Sequence, residues 1–197
     1  MPDGSPKRLA HHVRKAEILQ AATALLEREG LQGFSLEAVA RDTGVALSLP
    51  RHYFGSSRDL LKAATEDLLK KVETILLSRE PKVPLRARFA AYLDVLAGDP
   101  WGHEVWMRSA EIHPEVDAIV RQARRRMSEG MYRKPWSELT EHEQLDARGR
   151  IGYIEALVTE WLERDTDDRD VVVDLILQAV TLPNELVAAT AAASWSV

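Results

Sequence analysis

Apolar residues recur along this chain at spacings of three, four and seven, the period of a helix face. No run alternates between turns as a half-buried strand would. From Arg14 to Glu29, Ile18, Ala22, Leu25 and Leu26 fall on one face. Gly30 follows, and glycine takes the left-handed cap that ends a helix. Ser35 is an N-cap residue, and Glu37 sits in the first turn, where the helix dipole favours a negative charge. Leu36, Val39 and Ala40 supply a short apolar stripe before Thr43 and Gly44 stop the segment. A second short helix is predicted over 46–54. Gly55-Ser56-Ser57 then starts a long helix to about Arg79, with Leu60, Leu61, Ala64, Leu68, Val72, Ile75 and Leu76 as its apolar positions.

Pro81 and Pro84 mark the next break. Leu85 to Leu96 reads as helical, ended by Gly98-Asp99-Pro100. Trp101 to Ile112 follows, and Pro114 opens a helix through Val116, Ile119, Val120 and Met127. Gly130 to Thr140 is expected to be a loop. Thr140 and Glu143 then form a capping box before a helix to about Arg164. Its buried face would include Ile151, Ile154, Leu157, Val158, Trp161 and Leu162. After a turn at 165–168, a last helix is expected from Arg169 to about Thr190, with Pro183 as the place for a kink. The class is all-α, with about nine helices.

Two short helices joined through Thr43-Gly44-Val45, with a third before them, have the layout of a helix-turn-helix. Its second short helix must expose one side to enter a major groove ~12 Å wide. The net charge of −5, taken as a sum, opposes DNA binding. Its distribution does not: residues 1–62 carry nine Lys/Arg against seven Asp/Glu, and the acidic excess lies in the remainder. The segment Lys7 to Lys15 adds His11 and His12 to four cationic residues. A flexible basic tail would account for that charge equally well.

The chain resembles the TetR family of repressors over roughly residues 12–62. The matching residues are Ile18-Leu19, Ala21-Ala22, Gly30, Gly33-Phe34-Ser35, Val39-Ala40, Thr43-Gly44-Val45, Arg51-His52-Tyr53-Phe54-Gly55-Ser56 and Leu60-Leu61. The resemblance implies a flexible basic arm at 1–11, a DNA-binding domain at 12–58 and a helical ligand-binding and dimerisation domain at 59–197. It makes Phe34, Val45 and Phe54 core residues. Ser35, Leu47, Ser48, Leu49, Arg51, His52, Tyr53, Ser57 and Arg58 become the DNA-binding set. Arg51 is the best base reader, since a guanidinium can grip guanine O6 and N7 together. Tyr53 suits a phosphate. For His52 a solvated place at the groove edge competes with a contact.

Some residues depart from the family pattern. Ala46 replaces a serine cap, Ser57 replaces a lysine whose charge has moved to Arg58, and Pro50 lies inside the recognition helix. Pro50 is expected to remove a helical hydrogen bond and distort the helix or delay its start. These departures favour an alternative: a TetR-like protein with a degenerate head, acting through a ligand or protein partners.

The resemblance also implies double-stranded operator DNA as partner, a homodimer through helices near 142–164 and 169–190, and release by a small-molecule effector. Phe89, Tyr92, Trp101, His103, Trp106, Met107, Met127 and Tyr153 are the candidates to line the effector pocket, against core packing as the competing reading. No cofactor or metal is expected. His142 and Asp146 are two ligands short of a site, and the 165–170 segment lacks the glycine and closing glutamate of a calcium loop. Arg124-Arg125-Arg126 wraps around a helix rather than lining one face.

No catalytic set assembles, so an enzyme is not expected. The chain has no cysteine, which excludes disulfides and thiolate chemistry. Met1 to Leu9 has no apolar signal core, and no apolar run approaches the ~20 residues of a membrane span. The expected location is the cytoplasm.

Overall fold

A computed structural model of the protein describes residues 6–78, 83–98, 100–164 and 168–181. The described residues form nine α-helices and one 3-10 turn, with no strand. The first residues of the expected arm, the break at Pro81, the turn at 165–167, Pro183 and the end of the last helix lie outside them. No helix among the described residues is long and apolar enough to cross a membrane. The chain divides into two compact units, the described parts of Met1–Lys71 with Gly98–Val120, and of Val72–Ala97 with Arg121–Val197. The first therefore contains more than the expected 12–58 segment.

In the first unit, helix α1 spans Pro6–Glu29. It begins about two turns before the expected start near Arg14, so residues 6–11 are helical rather than a flexible arm. Proline is well placed at a first helical position, where its missing N–H would have no partner anyway. Ile18, Ala22 and Leu25 of α1 meet Leu36, Ala38 and Val39 of α2 (Leu36–Thr43), Phe54 of α3 (Ser48–Phe54) and Leu60 of α4 (Ser57–Leu77) in one buried cluster. Each large apolar side chain so buried contributes about 1.5–3 kcal/mol. Phe34 packs against the cluster while partly exposed. α1 ends at Gly30, whose φ of 68° and bond from its N–H to the Leu26 carbonyl (2.8 Å) make the expected left-handed stop. α6 (Pro100–Ile112) also packs on α1 and is kinked at Arg108. Beyond the kink, the buried Ser109 hydroxyl donates to Asp117 of α7 (Pro114–Tyr132) at 2.9 Å.

In the second unit, α9 (Arg169–Thr181) packs on α5 (Leu85–Ala97) and on α8 (Glu141–Arg164). Leu93, Val158, Val173 and Ile176 are fully buried there. Of the face expected to be buried on α8, Ile151 and Val158 are inside. Ile154, Leu157, Trp161 and Leu162 are only half-buried. Arg150 of α8 is itself buried. It binds Asp146 at 2.6 Å and donates to the Ala179 carbonyl of α9 at 3.0 Å. Asp146 also accepts from the Tyr132 hydroxyl. Burial and this carboxylate push the Tyr132 phenol well above its ordinary range.

α7 does not stop at Gly130, as expected, but runs on to Tyr132. The reason is packing: a Cβ at Gly130 would stand 2.5 Å from Cδ2 of Leu77. The glycine serves close approach and not a turn, and the left-handed residue after the helix is Arg133 (φ 53°). Within the arginine triplet, Arg124 binds Glu155, Arg126 binds Glu73, and Arg125 lies over the Trp136 ring.

Candidate nucleic-acid interface

The orientation of α3 is set by the turn before it. Ser35 caps α2, its Oγ accepting from the Ala38 N–H at 3.0 Å. At the other end, Gly44 takes φ 67°, its N–H bonding to Arg41 O, while the Val45 N–H reaches back to Ala40 O at 3.0 Å. This paired pattern is a Schellman stop, which satisfies carbonyls that a helix end otherwise leaves without donors. Val45 is half-buried beside it, less enclosed than expected.

α3 begins at Ser48 with no side-chain cap. Pro50 is therefore its third residue and lies in the first turn, not the interior. The Ala46 carbonyl that a residue-50 N–H would have reached accepts instead from the Leu49 N–H at 2.9 Å. Pro50 leaves no gap in the hydrogen bonding. Its ring is buried, one turn from the buried Phe54. The expected distortion is absent because the helix starts late enough to place the proline where it is tolerated.

This register sorts the expected DNA-binding residues. Ser48, Arg51 and His52, at spacings of three and four, share one exposed face. The Arg51 side chain is 63% exposed and its nearest carboxylate, Glu37, is 3.8 Å away. Leu47, Leu49 and Tyr53 belong to the other side. They pack against the core cluster while partly exposed, so both leucines hold the helix down, and Tyr53 presents only part of its ring. Ser57 is also committed. Its Oγ accepts from the Leu36 N–H at 2.9 Å and so covers an open donor of α2. Ser56, one residue earlier, caps α4. Its Oγ accepts from the Asp59 N–H and donates to the Asp59 carboxylate, which holds that carboxyl below its ordinary range. Arg58 is exposed.

His11, which the sequence places only in the basic segment and not in the DNA-binding set, also lies here. The ring stands 4.7 Å from that of Tyr53 and 6.4 Å from that of His52. Nearby on α1, Lys15 lies over the Phe54 ring at 5.3 Å. Extending the helical period four residues back from Lys15 reaches His11, but the expected arm concealed it.

Residues 18–64 match the family model described as bacterial regulatory proteins, tetR family. This stretch, the head of the chain, is thus similar to the TetR family. The HTH-type transcriptional regulator BetI of Paraburkholderia phymatum is 30% identical over 96 residues, 46% of this chain and 49% of that one. BetI of Proteus mirabilis is 25% identical over 80% of this chain and 82% of its own. The chain thus spans about half the length of the first curated relatives it matches. The fold as a whole is that of TetR-family structures. A tetR-family regulator from Streptomyces coelicolor superposes with a TM-score of 0.67 at 20% identity, over 91% of this chain and 85% of that one. The multidrug binding protein EbrR complexed with imidazole gives 0.65 at 18%, over 86% and 96%.

The candidate effector residues of this TetR-like chain fall in both units. In the first, Trp101 and Trp106 of α6 are buried and His103 is half-buried. The Trp101 indole N–H is enclosed without a hydrogen-bond partner. In the second, Phe89 and Tyr92 of α5 are buried and Met127 is half-buried. Burial, with Glu155 close by, pushes the Tyr92 phenol well above its ordinary range. Met107 and Tyr153 do not fit an enclosed lining, being 39% and 45% exposed. Tyr153 shares an open face of α8 with Leu145, Gly149, Gly152 and Ala156.

Proposed function

We propose that this protein is a ligand-responsive transcriptional regulator that acts as a repressor by binding a palindromic operator as a homodimer. The observation that carries the reading is the uncovered face of α3. Ser48, Arg51 and His52 point away from the core, held so by the leucines and proline beneath them. Arg51 is the base reader, while Ser35, Tyr53 and Arg58 serve phosphates, which fix register without reading sequence. A two-fold pair of heads reads half-sites about one helical turn apart. The pairing surface is the open face of α8 together with α9. The regulator works in the cytoplasm, where its promoter is, and performs no catalysis.

The effector is a largely apolar molecule with a hydrogen-bond acceptor. A buried donor without a partner costs about 1–3 kcal/mol, and the Trp101 indole N–H is such a donor. EbrR, a multidrug binding protein with this fold, makes aromatic compounds sensible first probes. Binding would release DNA by favouring one of two states with different operator affinity.

The test is a mobility shift with a duplex from the promoter of the protein's own gene, against a scrambled duplex. Specific retardation that Arg51→Ala removes while the dimer survives is the expected result. Equal affinity for both duplexes would defeat the reading. Of the three departures behind the degenerate-head alternative, Ala46, Pro50 and Ser57, Pro50 loses its weight, because it lies in the first turn of α3.

A further inference from the structure

Three imidazoles gather at one edge of the candidate DNA surface. His11 lies beside the Tyr53 ring at 4.7 Å. It meets His52 edge-on at 6.4 Å and His12 edge-on at 6.1 Å. His52 in turn meets Tyr53 edge-on at 5.3 Å. All three histidines are exposed. A single surface histidine is an ordinary solvated side chain. Here two helices remote in sequence bring two of them, His11 and His52, against one phenol, with His12 beside His11.

We propose that His11, His12 and His52 form a proton-dependent phosphate-binding patch beside the recognition helix, so that DNA is held more tightly as pH falls. This rests on the DNA-binding reading and adds to it a set of contacts and a condition on them. A neutral imidazole offers one N–H; a protonated one offers two and a positive charge. A phosphate oxygen only accepts, so each added proton supplies a donor and a charge where DNA needs them. Without DNA, three adjacent cations repel one another. The bound state therefore favours protonation more than the free state, and affinity must rise as pH falls.

The charged neighbours do not reverse this sign. On α1, Arg14 binds Glu17 at 2.7 Å and Lys15 lies over Phe54. On α3 and α2, Arg51 is the nearest cation to Glu37. Arg28 of α1 ties up Glu29 and Asp42. On α6, which also packs on α1, Glu104 and Glu111 engage Arg108. Each of these carboxylates already faces a guanidinium group, and on α4, whose Leu60 shares the core cluster, Asp59 is engaged by the Ser56 hydroxyl and Lys62. A metal is a poorer occupant, since no group of three ligating side chains among the described residues is arranged to hold one.

The experiment measures the affinity of the full-length protein for the promoter duplex and for a scrambled duplex of equal length. Salt series are run at about pH 8, 7 and 6, across the interval in which imidazole changes charge. Affinity should rise roughly tenfold from the highest pH to the lowest on both duplexes, because phosphates are common to them. The slope of log affinity against log salt should steepen by ~0.9 for each further phosphate neutralised. The variant H11Q/H12Q should lose most of the pH response yet still prefer the promoter duplex, with its helical circular-dichroism signal unchanged. A flat response in the parent protein, or an undiminished one in the variant, overturns the proposal. Absence of binding to either duplex at every pH is a different result, and sinks the DNA-binding reading along with this one.

Discussion

Helices α3 and α8 each leave one face uncovered, and the two faces are chemical opposites. On α3 the open side is Ser48, Arg51 and His52, all donors. On α8 it is Leu145, Gly149, Gly152, Tyr153 and Ala156, with Leu145 68% exposed. A short helix with projecting donors suits a partner that accepts hydrogen bonds at base edges and phosphates. A long helix that alternates glycine with large apolar groups lets another helix come close and offers something to bury. A two-fold pair of such faces would be self-complementary. Exposure alone therefore says little; what is exposed selects the partner.

The largest expected effect would come from spoiling the face on α8. Among the described residues, and apart from the helix's own backbone, nothing lies within 4 Å of a Cβ added at Gly149 or Gly152. Gly149→Glu with Gly152→Glu should therefore fold as a monomer, while placing charge where two copies would meet. Linking two binding modules raises avidity by roughly 10²–10⁴. The monomeric variant should lose operator affinity by at least the lower figure, checked by sedimentation and anisotropy on the same sample. A variant that remains dimeric would move the interface elsewhere and leave Leu145 and Tyr153 without a role.

On α3 the matching change is Arg51→Ala. A bidentate base contact is worth about 1–3 kcal/mol, so affinity for the operator should fall roughly ten- to hundredfold. Affinity for scrambled DNA should change little. A uniform loss on both duplexes would make Arg51 a phosphate contact and pass the base reading to Ser48 or His52.

The same two helices divide what the sequence revealed from what it hid. The turn into α3 was legible because local rules set it: a capping serine, a left-handed glycine and the apolar period of α1 and α2. The register of α3 was not, since the fate of Pro50 depended on which residue began the helix. A start at Ser48 brings Leu47 and Leu49 into packing against the core cluster. The boundaries of α8 were legible through Thr140 and Glu143, but its exposed face was not. Tyr153 reads as a pocket aromatic until the helix is placed in three dimensions and its side faces outward. His11 stays outside the DNA-binding set for a related reason: residues 6–11 lack apolar periodicity, so the sequence marks them as basic but not as helix.

The turn that aims α3 can itself be tested. Gly44 has φ 67° with nothing within 4 Å of an added Cβ. The penalty for Gly44→Ala is then purely backbone, about 1–2 kcal/mol for an L-residue held left-handed. Chemical unfolding should show that loss. DNA binding should weaken further only if the turn opens and α3 tilts, which separates stability from orientation.

The smallest effect is expected where α8 begins. Thr140 Oγ1 accepts from the Glu143 N–H at 3.2 Å, and the Glu143 carboxylate accepts from the Thr140 N–H at 2.8 Å. α3 has no such side-chain cap, so α8 alone of the two should respond to a change there. Thr140→Ala should cost about 1 kcal/mol or less, seen as a small fall in Tm. The box also titrates. Lys134, bonded at 2.9 Å, then the Thr140 backbone N–H, and more weakly the Thr140 hydroxyl at 3.1 Å hold the Glu143 carboxyl below its ordinary range. A carboxyl depressed by folding stabilises the protein above its unfolded value, and that help fades as pH falls through the folded one. The Tm of the parent protein should thus fall on acidification through the carboxylate range. Thr140→Ala should fall less steeply, because part of what acid removes is already gone. Parallel curves would mean that Lys134 and the backbone N–H of residue 140 set the Glu143 charge without the hydroxyl, and that the start of α8 is held by its packing, as the start of α3 is.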